Sequence, residues 1–533
     1  METAAAESGL AEPHLAHVLA SVGLNVEYVR AEGTTLHRLD GDGREVPVLD
    51  LVGGFGSLIL GHNHPEIVAY ARDLLAARIP VHAQFSDSPH AGRLAAALNA
   101  VLRRELGDDE PYFAIFASTG AEAIEAAIKH AEFDRHLTLA ALAGEIADHA
   151  GQVRAAVGAG DAIVPDDAFD LAAPIARPDG VTDRRERLER LVAQLDDWNS
   201  RQLARAPLFL VAEKAFHGKL VGSVQLTHNE AFRVPFEALA AQARFLPLDR
   251  PEAIQEAVDA ERGVLFDLTI ANGLVTVVER DFPIFCAFVL EPIQGEGGIN
   301  VVPPEFGKEA RRVCDSIGCP LIVDEIQSGM GRTGAFLAST RVGLRGDYYT
   351  LAKSLGGGIA KTSVALVRAS RYRKEFELVH SSTFAKDAFS SLVALKVLEL
   401  LEAGGGAAYR VIEERGRRLS AMLGTVREAF PDVVKDVRGM GLMLGVEFHD
   451  RPDSTSPIIQ DLVRNGFLGY AVAGHVLREH RIRTFPTGSA ANTLRLEPSL
   501  QLSDEEITRL ESALRDVCAV LRDEDGPRLM GAA

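Results

Sequence analysis

Short apolar runs separated by longer stretches of helical period fill most of this chain, the pattern of a sheet buried on both faces beneath helices. The runs Tyr112 to Ala117, Pro207 to Ala212, Phe285 to Leu290, Leu321 to Val323 and Tyr348 to Ala352 read as buried strands. Leu94, Leu98, Val101, Leu102 and Leu106 recur at helical spacing, so residues 91–106 predict an amphipathic helix that covers the sheet. A second helix opens at Ser118-Thr119-Gly120-Ala121 and runs to about Ala131. Residues 24–50 alternate apolar and polar positions around Asp40-Gly41-Asp42-Gly43 and predict a hairpin. After a helix over 390–401, Ala403-Gly404-Gly405-Gly406 forms a breaker, followed by helices over 408–429, 457–480 and 503–522 with strand-like runs between them.

Length and composition narrow the class. The chain has 533 residues, 47% hydrophobic and 25% charged, ordinary for a globular enzyme of two to four domains. Its net charge of −19 argues against a nucleic-acid partner, because phosphate binding needs concentrated positive surface. No apolar run approaches the roughly 20 residues that span a bilayer. The N-terminal stretch has acids and a proline where a secretory signal needs basic residues and an apolar run, so a cytoplasmic protein is expected. Four cysteines form neither a disulfide framework nor a metal spacing, and no metal is expected.

The candidate chemistry lies between Pro320 and Gly358. One buried run delivers Asp324 to a strand end, and the next delivers Lys353 before a glycine-rich turn, at the edge where open α/β sheets place ligands. A lysine amine can form a Schiff base with pyridoxal phosphate while a carboxylate keeps the pyridine nitrogen protonated. Thr119, Gly120 and Ala121, at the start of a helix that follows a strand, offer a phosphate unpaired amides and a favourable dipole.

The order of these motifs resembles class III aminotransferases, the ornithine and 4-aminobutyrate group of PLP fold type I. VDEIQSGMGRTG followed by LAKSLGGG carries the resemblance, with Phe216-His217-Gly218, Glu291-Pro292-Ile293-Gln294-Gly295-Glu296 and Thr493-Leu494-Arg495-Leu496 in family order. It covers about 25–520 and implies a large α/β domain with a mainly parallel sheet plus a smaller α+β domain from both chain ends. The expected division is 1–84 for the N-terminal segment and channel entry, 85–404 for the large domain, and 405–533 for the small domain.

The same resemblance implies that Lys353 carries the cofactor, with Lys361 a competitor misplaced after the glycines. It further implies that Asp324 pairs with the pyridinium, Gln327 bonds the phenolic oxygen, Phe216 stacks on the ring and Glu291 supports the pocket. Thr383 would reach the cofactor phosphate of a neighbouring subunit, which makes the protein a homodimer with shared sites. Arg495 would bind a substrate carboxylate after release from Glu296, with Lys219 and Phe55 completing the substrate wall. The expected reaction is ping-pong transfer of an amino group from a small-molecule donor to a keto acid, semialdehyde or carrier-bound aldehyde. An aminomutase, epimerase or decarboxylase on the same scaffold is the alternative, and a non-catalytic binding module a third reading.

Two departures stand out. Lys219 occupies a position where relatives commonly carry arginine, and Thr119 one where serine is usual. Residues 132–206 form an insertion with two helical stretches, about Leu137 to Ala156 and Arg184 to Leu203. Beside a passive embellishment, the insertion could serve as a lid at the site entrance or a docking surface.

Overall fold

The computed structural model describes residues 12–83, 86–87, 89–170 and 180–531. Its centre is a seven-stranded sheet of β1 (Tyr112–Ala117), β2 (Leu208–Ala212), β3 (Ala243–Leu246), β4 (Phe285–Leu290), β5 (Leu321–Asp324), β6 (Tyr348–Leu351) and β7 (Ser363–Arg368). The strands lie in the order β1-β7-β6-β5-β4-β2-β3. All neighbours are parallel except β7, which is antiparallel to both β1 and β6. Alternation sorts the side chains: Leu210, Phe288, Leu290, Val323 and Leu351 face one core, and Phe209, Val211, Val289, Ile322 and Tyr348 the other. Strands buried on both faces need no polar positions, which is why they read as continuous apolar runs.

A helix α1 (Gly120–Ala159) covers one face through Ile124, Ala127, Ile128 and Ala131. The helix Pro89–Leu106 and the first half of α3 (Ala388–Ala429) cover the other; α2 (Arg184–Leu203) lies elsewhere, as described below. Residues 403–406 interrupt α3 with non-helical backbone, as the glycine run predicted. The smaller domain draws on both chain ends, because Ile482–Arg483 pairs parallel to Glu45–Asp50 of the N-terminal hairpin. The expected helix over 457–480 is two helices, Pro457–Arg464 and α4 (Leu468–His480), separated at Gly466 with φ +71°. Among the described residues no helix is long and apolar enough to cross a membrane, and the four cysteines are buried thiols.

The insertion differs from its expected form. The stretch Leu137 to Ala156 is no separate helix but the continuation of α1, 40 residues without a break. At 1.5 Å per residue, about 45 Å of helix separates the Gly120 end from Ala150. There α1 joins α2 and a hairpin, Gly263–Ala271 with Leu274–Phe282, around a separate core of Val153, Val157, Phe169, Leu191, Leu195, Phe266 and Val277. The module thus packs at the far end of α1 from the Gly120 turn.

The hairpin carried a legible signal. Asn272 and Gly273 take φ of +52° and +74°, the two left-handed positions of a tight Asn-Gly turn between alternating apolar strands. Asn199 of α2 caps the hairpin edge by exchanging two hydrogen bonds of 2.8 Å with the backbone of Phe266, and Trp198 donates to the Val264 carbonyl at 2.9 Å. Leu191 is fully buried in this core, so Leu191→Ala is expected to cost about 2–5 kcal/mol of stability. Chemical denaturation measures the loss, and cofactor content should stay at the wild-type level.

Candidate active site

The register of β5 against β6 assembles the centre of the site. Asp324 pairs with Thr350, and the Thr350 hydroxyl donates to Asp324 Oδ1 at 3.1 Å. Lys353 follows three residues later at the start of a tight turn, with φ +48°. The Ile326 amide also donates to Oδ1, at 3.1 Å.

Asp324 Oδ2 is held by His217 Nδ1 at 2.7 Å. Burial opposes charge on this imidazole, yet the hydrogen bond to Asp324 and the charges of Asp324 and Glu291 outweigh it and raise its pKa. Asp324 thus has a hydrogen-bond partner at each carboxylate oxygen. His217 Nε2 is buried without a hydrogen-bond partner among the described residues. Sequence reasoning treated His217 as part of a motif and assigned it no role, because a lone histidine gives no sign of which carboxylate it will meet.

The aromatic turn and the phosphate turn share one wall. Gly218 has φ +119°, and a Cβ there would fall 2.7 Å from that of Ala121, so the Phe216-His217-Gly218 segment backs directly on the α1 N-terminus. Thr119 caps α1 in a reciprocal box with Glu122: its hydroxyl accepts from the Glu122 amide, and Glu122 accepts from Thr119 and Ser118. This leaves the first amides of α1, at Gly120 and Ala121, for an anion. Ile326 packs against Gly120, whose Cβ would meet it at 2.9 Å, and so lines the same cleft.

Glu291 fixes the turn by accepting from the amides of Phe216 at 2.9 Å and Gly295 at 3.0 Å. Burial pushes its carboxyl up to about 7, against the opposing influence of His217. Gln327 donates to Glu497 Oε1 at 2.7 Å, while Glu497 Oε2 is buried and unpartnered among the described residues.

Lys353 is crowded by protein, and that burial lowers its pKa; Glu497 opposes the shift most strongly, followed by Glu296. Glu497 was absent from the sequence expectations, since nothing in a strand-end glutamate announces a lysine drawn from another strand. Glu497→Gln should therefore let the amine lose its proton at lower pH. In cofactor-free protein, labelling of Lys353 by an amine-reactive reagent, followed by mass spectrometry, is expected to shift to lower pH; an unmoved curve would remove this role.

Arg495, whose side chain is 1% exposed, lies beside Lys353. Its Nη2 bonds Glu296 Oε2, which also accepts from the Gly488 amide at 2.6 Å. Burial alone would raise the Glu296 carboxyl, but Arg495 holds it below its ordinary value. Phe55 lies over the guanidinium at 4.8 Å and meets Phe485 edge-on at 5.6 Å, with Tyr470 edge-on to Phe485 at 5.5 Å. Nε and Nη1 of Arg495 lack partners among the described residues, so two donors are unspent.

Arg332, fully buried, ties three loops here. It donates to the carbonyls of Leu442 at 3.0 Å, Pro498 at 2.9 Å and Gly56 at 3.3 Å. Ser354 adds a 2.8 Å bond to the same Gly56 carbonyl, which links the lysine turn to the Phe55 segment.

Two expected residues stand apart from this cluster. Lys219 is exposed, with its ammonium 3.7 Å from the centre of the Phe232 ring. Thr383 is exposed in the loop after the helix Phe376–Val379. Lys361 is also exposed, beyond the glycine turn.

A phosphorylated pyridine aldehyde fits this donor set: helix amides for the phosphate, a buried carboxylate for a ring nitrogen, and a crowded amine for the carbonyl carbon. Among solved structures, the fold is shared with the ornithine aminotransferase of Toxoplasma gondii at TM-score 0.65, with 22% identity and 98% of each chain covered. It is shared also with a PLP-bound amine transaminase from an uncultivated Pseudomonas species, TM-score 0.64, 21% identity, covering 93% of this chain and 94% of that one. Ornithine δ-aminotransferase of Plasmodium falciparum matches at TM-score 0.60 and 18% identity, with 94% of each covered. The family model for aminotransferase class III matches residues 19–518, nearly the whole chain. The chain therefore belongs to the class III aminotransferases, enzymes that use pyridoxal phosphate.

Proposed function

We propose that the protein transfers the amino group of a carboxylate-bearing amino donor to a keto acid or aldehyde, and that Arg495 is the group that recognises the donor. The reading rests on one observation: a buried guanidinium with two unspent donors, paired to a single carboxylate, beside Lys353. A donor carboxylate would replace Glu296 on Arg495, since planar bidentate pairing suits a guanidinium. Simple amines would enter with the Arg495–Glu296 pair closed and the Phe55 ring as their wall.

When bound, pyridoxal phosphate supplies an aldehyde carbon for amines and a ring that takes up an electron pair. In this reading Gly120, Ala121 and the Thr119 hydroxyl hold the phosphate, Asp324 the ring nitrogen and Gln327 the phenolic oxygen. Phe216 and Ile326 face the ring, and Glu291 fixes the turn that carries Phe216. Lys353 holds the carbonyl carbon and then moves a proton at the donor carbon. Its lowered pKa suits this work, because the neutral amine is accessible at lower pH than in water.

A homodimer belongs to the same reading. Leu378, Val379 and Phe384, exposed by 90%, 63% and 68%, flank Thr383, and an exposed apolar group of this kind marks a contact surface. Thr383 would then serve the site of a second copy, and Lys219 would remain at the pocket rim. A cytoplasmic location is consistent with the four thiols.

Donors with and without a carboxylate, each supplied with and without a carbonyl acceptor, test the reading. Release of keto acid that depends on the acceptor is expected; a product isomeric with the donor and formed without acceptor would point instead to an aminomutase or epimerase.

A further inference from the structure

In the small domain, α4 packs against α5 (Asp504–Arg522), and the short helix Gly526–Met530 closes over their ends. His475 of α4 has a fully buried side chain whose Nε2 lies 2.9 Å from Asp516 Oδ2. His480, the last residue of α4, brings its own Nε2 to 2.9 Å from the same oxygen. These three donor atoms lie within 4.8 Å of one another.

Two hydrogen-bonding arrangements are open to His475. His475 Nδ1 faces the Arg528 carbonyl at 3.3 Å while Nε2 faces a carboxylate. A neutral imidazole carries one N–H and one lone pair, so it cannot donate at both ends. Arg478 Nη2, 3.4 Å from Nδ1, can donate to it as well as to the carbonyls of Arg528 at 3.3 Å and Leu529 at 3.1 Å, so without an ion Nε2 donates to Asp516 and Nδ1 accepts from Arg478. With Nδ1 instead donating to the Arg528 carbonyl, the Nε2 lone pair is free for a cation shared with Asp516 and His480.

We propose that His475, His480 and Asp516 bind a divalent transition metal of the zinc type. Two imidazoles and one carboxylate are a borderline donor set that suits zinc, whose bonds to such ligands are about 2.0–2.2 Å, with water in the fourth position. Calcium and magnesium prefer oxygen throughout. The surroundings suit the donors to a metal site: the Arg528 carbonyl can accept from His475 Nδ1 while Nε2 binds, and Arg528 Nη2 holds Asp516 Oδ1 at 2.6 Å, leaving Oδ2 for the ion. The ion would pin α4, α5 and the terminal helix to one another, far from any role in amino transfer.

Cofactor-loaded full-length protein, stripped with a chelator and returned to metal-free buffer, is titrated with Zn²⁺ by calorimetry, and its melting temperature is followed in parallel. One Zn²⁺ per chain and a raised melting temperature are expected. His480→Gln, at the partly exposed ligand, should weaken binding at least about tenfold while cofactor content is kept, and Asp516→Asn should do the same. Equal affinity and stoichiometry in His480→Gln, or a wild-type melting temperature that does not respond to Zn²⁺, overturns the proposal, the latter in favour of the hydrogen-bonded arrangement without an ion.

Discussion

Lys353→Ala is expected to lose amino transfer by at least about 10²–10⁴-fold, the range that a positioned proton-transfer group contributes, and with it the visible absorption of the cofactor-loaded protein. The expectation follows from the strand register. Asp324 and Thr350 are paired, Thr350 bonds Asp324, and Lys353 is the first residue of the turn beyond, so the register itself carries this amine to the sheet edge beside Asp324. Lys361→Ala is the control: this lysine is exposed past the glycines, and its loss should leave both readouts intact. Wild-type turnover in Lys353→Ala, or loss of the absorption in Lys361→Ala instead, would require a different carrier.

The second large effect belongs to Arg495. Truncating one partner of a buried, hydrogen-bonded charge pair costs about 2–5 kcal/mol, much of it the burden of the charge left behind. In Arg495→Ala the carboxylate of Glu296 would be left with the Gly488 amide and would repel an incoming anion. Catalytic efficiency, kcat/KM, for carboxylate donors should fall by roughly 30- to 4000-fold, which is that energy expressed as a ratio, while simple amines are affected far less. Equal losses for both donor types would retire the recognition role. Arg495→Ala combined with Glu296→Gln separates the two contributions, because it removes the stranded charge and should return part of the loss.

The parts of this protein that were legible in its sequence are those where local pattern and tertiary position coincide. A strand buried on both faces is apolar throughout, so β4, β5 and β6 announce themselves, and the residues just past their ends inherit a place at the sheet edge. Asp324 and Lys353 are of this kind. His217, Thr350 and Glu497 are not: each acquires its role from a partner more than 20 residues away, fixed by register or by the meeting of two loops. The hairpin at Asn272-Gly273 is a different case, since its turn chemistry and alternation were present and were passed over. The division of the insertion differs from its expected form because a proline-free, alanine-rich stretch continues a helix as readily as it begins one. Nothing between Ala131 and Leu137 stops α1.

The satellite core at the far end of α1 shares none of its fully buried side chains with the two cores that flank the sheet. The hairpin is the tie between them, since its Leu265 and Phe282 are buried with the sheet's own core. Substitutions confined to the α2 side of the satellite therefore leave the sheet's packing untouched, whereas loss of the hairpin would uncover the neighbours of Leu265 and Phe282 in it.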